Sequence, residues 1–519
     1  MFSLRRIGRS VFWLALATIV GQVAALGREL FVAANTGTSR ELDALLVALV
    51  VPTLVAEVGS SGVQAALVPA YAAVTRDGGR GAAQRFAGGI LGWIVLASSG
   101  LLLLTMVVAS PAISIAGPGL DPRDQQVALG FLPVLLPIMV LLPLGTVLAA
   151  VCQAQERFAF IAASTLAGSL ASTIATVLLW ETLGIWALAV ALVINAVTAI
   201  GVLGALLWRV GSFPSPHLRI DRKYVDPFLR HLLPMSAGTA LFPFNMLADR
   251  AVASFLSSGG VSALRYGQQL IHAPVNALSG AWGTVVLPAL VNTTQDESPS
   301  STGEAAARAL RYIGATIIPV SAATAALAPL LVGLLYERGA FDADAAARTA
   351  GVVAGLAPLL PLSMAMSVLS GAHNARRRGA LIGKSAVLTA ILNLGLNILL
   401  ARQIGVAGIA LSTSMTSLLV LIFLGWRLNS LEPGFHGRQV AGSWAKAIGA
   451  SAVAAVPVAA LAWSGAIPPA SLSSLLWLAG LPLFGGVVYL VAAAALRLTE
   501  PVEVLRAAVS IARNRLTRS

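Results

Sequence analysis

The side chains that could do chemistry in this chain are six ionisable residues within otherwise apolar stretches: Arg28, Glu29, Asp43, Glu57, Asp249 and Arg250. The chain of 519 residues is 57% hydrophobic and only 11% charged, and its mean hydropathy is +0.85. A charge inside a membrane span costs roughly 2.5–3.5 kcal/mol on insertion scales, so such residues usually face a protein interior or a wet cavity. Their presence indicates a protein that moves something polar through a membrane.

The elements that position these residues are predicted to be transmembrane helices. A span needs about 20 mostly apolar residues, and about fourteen such stretches recur between residues 10 and 496. The expected fold class is therefore an all-α polytopic membrane protein. The first apolar stretch follows three arginines, as a signal peptide would, but it continues without a clear cleavage site and predicts an uncleaved helix.

The net charge of +13 is explained by where the cations lie, and no nucleic-acid partner is expected. If the spans alternate, the arginine-rich segments before span 1, between spans 2 and 3, 6 and 7, and 10 and 11, and at the C-terminus all fall on one side. The opposite loops, such as residues 180–182 and 464–469, carry few cations. The positive-inside rule then places both termini in the cytoplasm.

An internal repeat predicts how the spans are organised. Residues 183–189 (LGIWALA) resemble residues 404–410 (IGVAGIA) at an offset of 221 (405 − 184). Parallel halves of this kind are a transporter architecture, whereas the alternative is chance similarity between apolar, glycine-rich helices. We predict two pseudo-symmetric six-helix lobes and two C-terminal helices, in these ranges: N-terminal lobe 1–210, cytoplasmic linker 211–230, C-terminal lobe 231–430, and last two helices with a basic cytoplasmic tail 431–519.

The sequence contains no group of polar residues typical of an active site, and the chain is predicted not to be an enzyme. Residues 379–385 (GALIGKS) imitate a phosphate-binding loop, but the two glycines are one residue too close and the segment leads into a span. The scattered histidines show no metal-binding spacing, and Cys152, the only cysteine, excludes an internal disulfide. Any transport must then be driven by an ion or voltage gradient or by a partner.

Several motifs occur in a specific order. Near the start are Gly27-Arg28-Glu29, Asp43, Pro52 and Leu67-Val68-Pro69, and these are followed by residues 245–254 (NMLADRAVAS), 260–266 (GVSALRY), 287–290 (LPAL) and 336–342 (YERGAFD). In this order and spacing, over roughly residues 10–430, the chain resembles the MurJ/MviN family of lipid II flippases in the MOP exporter superfamily.

The resemblance implies a lobed fold like the one described above and alternating access around a central cavity. It implies export of an undecaprenyl-pyrophosphate-linked cell-wall precursor, with lipid II as leading substrate, to the outer leaflet of a bacterial inner membrane. The expected partners are the lipid-linked oligosaccharide, membrane lipids and candidate cell-wall synthesis proteins. Arginine suits the pyrophosphate because its planar donors bind oxygens in pairs.

The resemblance also implies substrate-binding residues. Arg28 and Asp43 match functional positions of the family, whereas Gln22, Ala56 and Gln269 stand where the family has cavity arginines. Arg265, one helical turn before Gln269, could reach the same cavity. A cavity with fewer cations weakens the case for lipid II and leaves another lipid-linked glycan open.

A sodium ion is the one cofactor-like ligand that the resemblance implies. The matching positions are Asp249, Asn393, Asn397, the carbonyl of Ile409, and Thr413. Asn393 and Asn397 are four residues apart and share one helix face, and oxygen ligands suit a small hard cation. The alternative is that these polar residues join helices by hydrogen bonds.

The other charged residues have open interpretations. Glu29 is expected to point away from its neighbour Arg28 and has no assigned role, and Arg28 itself has the alternative of extending to the outer interface. Glu57 suits either a proton relay or a structural pair, and Arg250 either neutralises Asp249 or pairs with another acid. A direct Asp249–Arg250 pair would weaken the sodium hypothesis.

Two further functions stay open at this stage. A small-molecule antiporter of the MATE type would favour an aromatic-lined cavity, and aromatic content is only 6%. A non-transporting scaffold of the wall-synthesis machinery would have no need of an ion site.

Overall fold

The computed structural model describes residues 4–219, 221–239, 241–256, 258–275, 300–376, 378–467, 472–501 and 503. In these ranges the chain is helical with turns and contains no strand, which confirms the all-α fold class. The chain divides into two compact units, residues 1–262 and residues 263–519. This division differs from the predicted lobe limits, which stay a prediction.

The first unit contains nine helices and the start of a tenth among its described residues. They are α1 Leu4–Thr36, α2 Arg40–Val107, α3 Ala109–Ala116, α4 Pro122–Leu135, α5 Ile138–Ala154, α6 Phe158–Leu183, α7 Trp186–Arg209, α8 Arg222–Thr239 and α9 Leu241–Ser254. Helical residues 260–275, here α10, continue into the second unit.

Helix α2 carries two predicted spans rather than one. Its 68 residues would extend about 100 Å as a straight helix, whereas a bilayer core is about 30 Å thick. The helix breaks at Gly79, whose φ of 76° and ψ of 176° are not helical. The break separates the predicted spans 43–70 and 88–115.

The second unit is built from the rest of α10 and the following described helices. They are α11 Ser300–Ala326, α12 Ala328–Tyr336, α13 Ala343–Leu356, α14 Leu359–Ala375, α15 Gly379–Ile404, α16 Val406–Leu431, α17 Gly437–Trp463 and α18 Leu472–Ala495.

The offset of 221 residues found in the sequence returns in the helix bounds. Helices α4, α5 and α6 begin and end 221 positions before α13, α14 and α15, as in 379 − 158 for the starts of α6 and α15. The glycine after each of these last two helices also adopts the same unusual backbone, with φ 55° and ψ −132° at Gly184 and φ 62° and ψ −144° at Gly405. A side chain would be strained there, so glycine is needed at both positions.

Nine helical segments among the described residues are long and apolar enough to span a membrane, or ten if the bent pair α4 and α5 forms one span. The α2 segment counts once although it contains two predicted spans, and α13 with α14 also counts once. The predicted eighth span, residues 268–291, lies mostly outside the described residues. The count is consistent with about fourteen spans, which stays a prediction.

Each unit has its own apolar core. In the first unit, α2 packs against α5 and α5 against α7, and the shared core includes Leu67, Phe86 and Val151. In the second, α11, α14 and α16 pack around Ile313, Leu369 and Leu424. Large apolar side chains such as those of Leu178 and Ile391 are exposed on the outer faces, which suits contact with lipid.

Candidate functional site

Arg28 is a buried cation held between two helices of the first unit. Its side chain, which is 10% exposed, donates one hydrogen bond from Nη1 to Ser172 Oγ on α6. Its Nη2 lies 3.2 Å from Glu29 Oε1. The expectation that Arg28 and Glu29 point apart is therefore wrong, because two long side chains on successive residues can bend towards each other when burial favours their pairing. The side chain is buried against α6 rather than extended to an interface.

The Arg28 guanidinium also has an uncommitted donor. Its Nε atom is buried and has no hydrogen-bond partner within the described residues. Gln22, on the same helix, is exposed in the first unit, and Ala56 is fully buried on α2. Neither Gln22 nor Ala56 carries a positive charge, whereas Arg28 does.

Hydroxyl groups on α6 fix the position of α1. Ser169 Oγ donates to the carbonyl of Gly21 at 2.7 Å, and Thr173 Oγ1 donates to that of Ala24 at 3.0 Å. With Ser172 they form one face of α6, and small hydroxyl residues of this kind join membrane helices. These hydroxyl residues were not predicted from the sequence, although their spacing of three and four residues could have indicated a polar helix face.

Asp43 makes three hydrogen bonds to the segment that begins α10. Its Oδ2 accepts from the backbone N–H of Gly259, and its Oδ1 accepts from both the N–H and the hydroxyl of Ser262, each at 2.7 Å. The side chain is 5% exposed. A carboxylate suits a helix N-terminus because the first N–H groups have no partner inside the helix and the helix dipole is positive there. Asp43 is therefore the N-terminal cap of a helix distant in sequence.

Further polar residues surround this cap. A cavity of about 240 Å³ beside Asp43 includes Ser254 and Ser258 in its lining. At the same place, Arg40 Nη1 lies 2.9 Å from Asp121 Oδ2 and 3.8 Å from Asp124 Oδ2. The Arg40 side chain is 61% exposed, so this ion pair contributes little to stability.

The acidic and basic residues of α9 are buried in the first unit. Asp249 and Arg250 are both 6% exposed. Arg250 Nη1 donates to the carbonyl of Leu46 at 3.1 Å, and Arg250 interacts electrostatically with Glu57. The two interpretations of Glu57, a proton relay or a structural pair, stay predictions.

Four of the five predicted sodium ligands lie together in the second unit. Asn397 Nδ2 donates to Asn393 Oδ1 at 3.0 Å, and Asn393 Nδ2 lies 3.5 Å from Thr413 Oγ1. Thr413 Oγ1 donates to the Ile409 carbonyl at 3.0 Å. The fifth predicted ligand, Asp249, belongs to the first unit.

Ser412 completes this cluster and was missed in the sequence. Its hydroxyl donates to Asn397 Oδ1 and also lies 2.8 Å from the Ile409 carbonyl oxygen. Asn393, Asn397 and Ser412 are all at most 2% exposed. The donor set is made entirely of neutral oxygens, which fits a small hard cation in chemistry, while the hydrogen bonds equally join α15 to α16. Among the described residues no group of three or more His, Cys, Asp or Glu side chains could hold a metal ion.

The remaining predicted substrate residues are on α10 in the second unit. Arg265 and Gln269 are both partly exposed. Between them, Tyr266 is fully buried and packs against Tyr336 and Phe341, with ring centroids 5.1 and 5.5 Å away. The aromatic cluster fixes the face of α10 that carries Tyr266. Arg265 and Gln269, four residues apart, share a different and partly exposed face of the helix. The motif at residues 287–290 lies outside the described residues.

The second unit also contains an apolar cavity of about 750 Å³. It lies between α11, α12, α17 and α18, and its lining includes Val320, Leu327, Val458 and Leu490. An apolar cavity of this size can accommodate a hydrocarbon chain.

Comparison with known proteins supports one family. The family model described as "Lipid II flippase MurJ" matches residues 32–477. A lipid II flippase MurJ of Burkholderia cenocepacia is 24% identical over 432 residues, covering 80% of this chain and 84% of the relative.

Solved structures show the same fold. A lipid II flippase MurJ in an inward closed conformation superimposes with a TM-score of 0.76 at 19% identity, covering 93% of this chain and 98% of that chain. An inward-facing multidrug MATE transporter of the MOP superfamily gives a TM-score of 0.63 at 16% identity, covering 82% and 94%.

Proposed function

The chain belongs to the MurJ family of lipid II flippases, and we propose that it carries an undecaprenyl-pyrophosphate-linked cell-wall precursor from the cytoplasmic to the outer leaflet of a bacterial inner membrane. Lipid II is the leading substrate. The observation that carries this proposal is the family match over residues 32–477, which includes most of the helices of both units.

Arg28 supplies the chemistry that a pyrophosphate needs. Its guanidinium is held by Ser172 and Glu29, and it keeps a buried Nε donor without a partner in the described part of the chain. A donor held in place in this way can bind an anionic oxygen with little further loss of side-chain freedom. The role of Glu29 is to position Arg28 rather than to contact the substrate, since a carboxylate repels a pyrophosphate.

The anionic head group and the apolar tail of the proposed substrate need different environments. The sugar–pyrophosphate head is hydrated and anionic, so it needs a wet, cationic path, which Arg28 supports. The polyprenyl tail is apolar, and the cavity of about 750 Å³ between α11, α12, α17 and α18 suits it. Such a division lets the tail stay in an apolar environment while the head crosses.

Alternating access is part of the proposal. The repeated helices, offset by 221 residues, support it, because transporters built from structural repeats commonly change access by moving one half against the other. Asp43 would act in this change, since the hydrogen bonds that cap α10 can form in one state and break in another.

A sodium ion is proposed as the coupling ion. Asn393, Asn397, the Ile409 carbonyl and Thr413 would hold it together with Asp249, and Ser412 is added to this set. A bound cation would replace hydrogen bonds of the asparagine cluster. No net charge is present on the four ligands of the second unit, so the affinity depends on Asp249.

A second substrate is favoured by one observation. The resemblance described above implies that Gln22, Ala56 and Gln269 stand where the family has cavity arginines. A less cationic cavity suits a lipid-linked glycan with fewer charges than lipid II.

The experiment that tests the function is rescue of bacteria depleted of their own lipid II flippase. The wild-type chain is expected to restore growth, and the Arg28→Ala variant, expressed at the same level, is not. Failure of the wild type at normal membrane abundance would contradict lipid II as substrate. Growth of the Arg28→Ala strain would instead remove Arg28 from the mechanism.

A further inference from the structure

The segment between α7 and α8 lies along α2 in the first unit. This segment, called the linker from here on, is shorter than the predicted linker of residues 211–230. It consists of residues 210–221, all described except Ile220. The backbone N–H of His217 donates to the carbonyl of Gly88 at 3.2 Å. Trp93 Nε1 donates to the carbonyl of Leu218 at 3.1 Å. The linker is therefore held on α2 at two successive helical turns.

Two glycines of α2 make this close approach possible. A Cβ atom at Gly88 would lie 2.2 Å from the carbonyl oxygen of Ser215, and one at Gly92 would lie 2.2 Å from that of His217. Both distances are far shorter than any contact that a side chain tolerates. Gly88 and Gly92 are four residues apart and therefore form one groove along the helix.

The linker and α2 together enclose a basic pocket. Its volume is about 340 Å³. Helix α2 contributes Ala82, Arg85 and Phe86 to its lining. The linker contributes His217, Arg219 and Asp221, and the start of α8 contributes Tyr224. A ligand in this pocket would contact both segments at once.

The charges of the pocket favour an anion. The lining contains two arginines, Arg85 and Arg219, and one acidic residue, Asp221. Within the described residues no salt bridge joins either arginine to Asp221. His217 Nδ1 is buried and has no hydrogen-bond partner in the same part of the chain. Arginine pairs and an uncommitted imidazole nitrogen are groups that bind phosphate oxygens.

The surroundings of the pocket favour a lipid as the source of that phosphate. Trp93 and Leu218, which join the linker to α2, are 51% and 52% exposed, so an apolar and aromatic surface adjoins the basic pocket. Tryptophan is enriched at the depth of lipid headgroups. The arginine-rich side of the chain is the predicted cytoplasmic side, and basic pockets on that side bind anionic headgroups.

We propose that this pocket binds the phosphate of an anionic phospholipid headgroup and that the bound lipid fastens the linker to α2. The guanidinium groups of Arg85 and Arg219 contact the phosphate oxygens from opposite sides. The acyl chains extend along the exposed surface beside Trp93. None of the lining residues is among the proposed substrate-binding residues, so the proposal does not depend on which precursor the protein carries.

The test measures lipid binding to the purified full-length protein by native mass spectrometry. The probes are phosphatidylglycerol, phosphatidylcholine and inorganic phosphate. For the wild type we expect phosphatidylglycerol to bind more tightly than phosphatidylcholine. The Arg85→Gln/Arg219→Gln variant should lose this preference, with phosphatidylglycerol affinity reduced about fivefold for each arginine removed.

A matched variant separates the pocket from general surface charge. Arg80→Gln/Arg222→Gln removes the same charge from the same two segments, and neither residue lines the pocket. It should keep the wild-type preference. Arg85→Lys/Arg219→Lys should keep part of the preference for phosphatidylglycerol. That result would show that Arg85→Gln/Arg219→Gln lost the preference through loss of charge and not through unfolding.

Three results would overturn the proposal. Equal losses in the two glutamine variants would mean that the lipid responds only to surface charge. An unchanged preference in Arg85→Gln/Arg219→Gln would exclude the pocket. Competition by inorganic phosphate at the same concentration as the lipid would identify a site for soluble phosphate instead of a headgroup.

Discussion

Asp43 caps the N-terminus of α10 through Ser262, whose backbone N–H and hydroxyl both donate to the same carboxylate oxygen at 2.7 Å. The two residues are 219 positions apart in the sequence. This cap joins the start of α2 to the start of α10 with a charged acceptor that is 5% exposed. A hydrogen bond to a buried carboxylate is stronger than one between neutral groups.

Loss of the Asp43 carboxylate is predicted to destabilise this contact. Asp43→Ala leaves the N–H groups of Gly259 and Ser262 without their acceptor, at a cost of roughly 1–3 kcal/mol. Asp43→Asn should cost less, because one acceptor oxygen remains. The melting temperature of the detergent-solubilised protein measures both effects. Glu41→Gln, an exposed neighbour on the same helix turn, should leave it unchanged, and equal shifts in all three variants would contradict the capping role.

Arg28 is predicted to require its guanidinium and not only its charge. Arg28→Lys retains the cation but cannot contact Ser172, Glu29 and a substrate oxygen in one plane. We expect it to fail in the rescue assay even when its abundance in the membrane is normal. Arg209→Lys, the same change at an exposed position, should rescue fully. Full rescue by Arg28→Lys would show that a point charge is sufficient.

Ser412 is predicted to be essential for the asparagine cluster. Ser412→Ala removes one hydrogen bond to Asn397 Oδ1 and one link between α15 and α16, and the loss of a buried hydrogen bond costs about 0.5–1.5 kcal/mol. Ser417→Ala is the matched control, because Ser417 Oγ donates to a backbone carbonyl of its own helix, that of Thr413. The first variant should lower the melting temperature and the second should not. Equal decreases in melting temperature would mean that the loss of any hydroxyl group from α16 destabilises the protein, and would contradict a special role of Ser412.

The sodium proposal predicts ion-specific stabilisation. Sodium chloride should raise the melting temperature of the wild type more than potassium chloride at the same ionic strength, since a bound ion stabilises the folded state. Asp249→Ala and Asn397→Ala should both abolish the difference. If the difference persists in Asp249→Ala, the proposed ion site is wrong.

The glycine groove predicts a specific effect on the linker. Gly88→Ala and Gly92→Ala place a methyl group where a linker carbonyl lies, so the linker must leave α2. Trypsin should then cleave after Arg219 or Arg222 several times faster than in the wild type. Gly100→Ala, at a position of α2 with no atom within 4 Å of the new Cβ, should not change the cleavage rate. A faster rate in all three would indicate general unfolding of α2.

The repeat and the polar face of α15 could be predicted because they depend on local sequence. Gly184 and Gly405 lie at equivalent positions since a glycine-only backbone conformation follows both α6 and α15. Asn393 and Asn397 meet because residues four apart share a helix face. Such features follow from periodicity and backbone geometry.

The contacts between distant helices could not be predicted in the same way. The Ser172 partner of Arg28 and the Ser262 partner of Asp43 are 144 and 219 positions away, and no local pattern selects one serine among many. The Arg28–Glu29 pair was mispredicted because helix geometry describes the directions of Cα–Cβ bonds and not the bends of long side chains. The hydroxyl groups that join α6 to α1 were missed for a related reason, since serine and threonine do not interrupt an apolar sequence.

The central claim is that this chain moves a lipid-linked cell-wall precursor across a bilayer. The most direct measurement is transfer of labelled lipid II between the leaflets of proteoliposomes that contain the purified protein, with undecaprenyl-linked glycans of lower charge as parallel substrates. We predict transfer by the wild type that Arg28→Ala abolishes and Arg209→Lys does not. Transfer at the rate of protein-free vesicles for every lipid-linked substrate, by protein that is folded and correctly inserted, would contradict the claim.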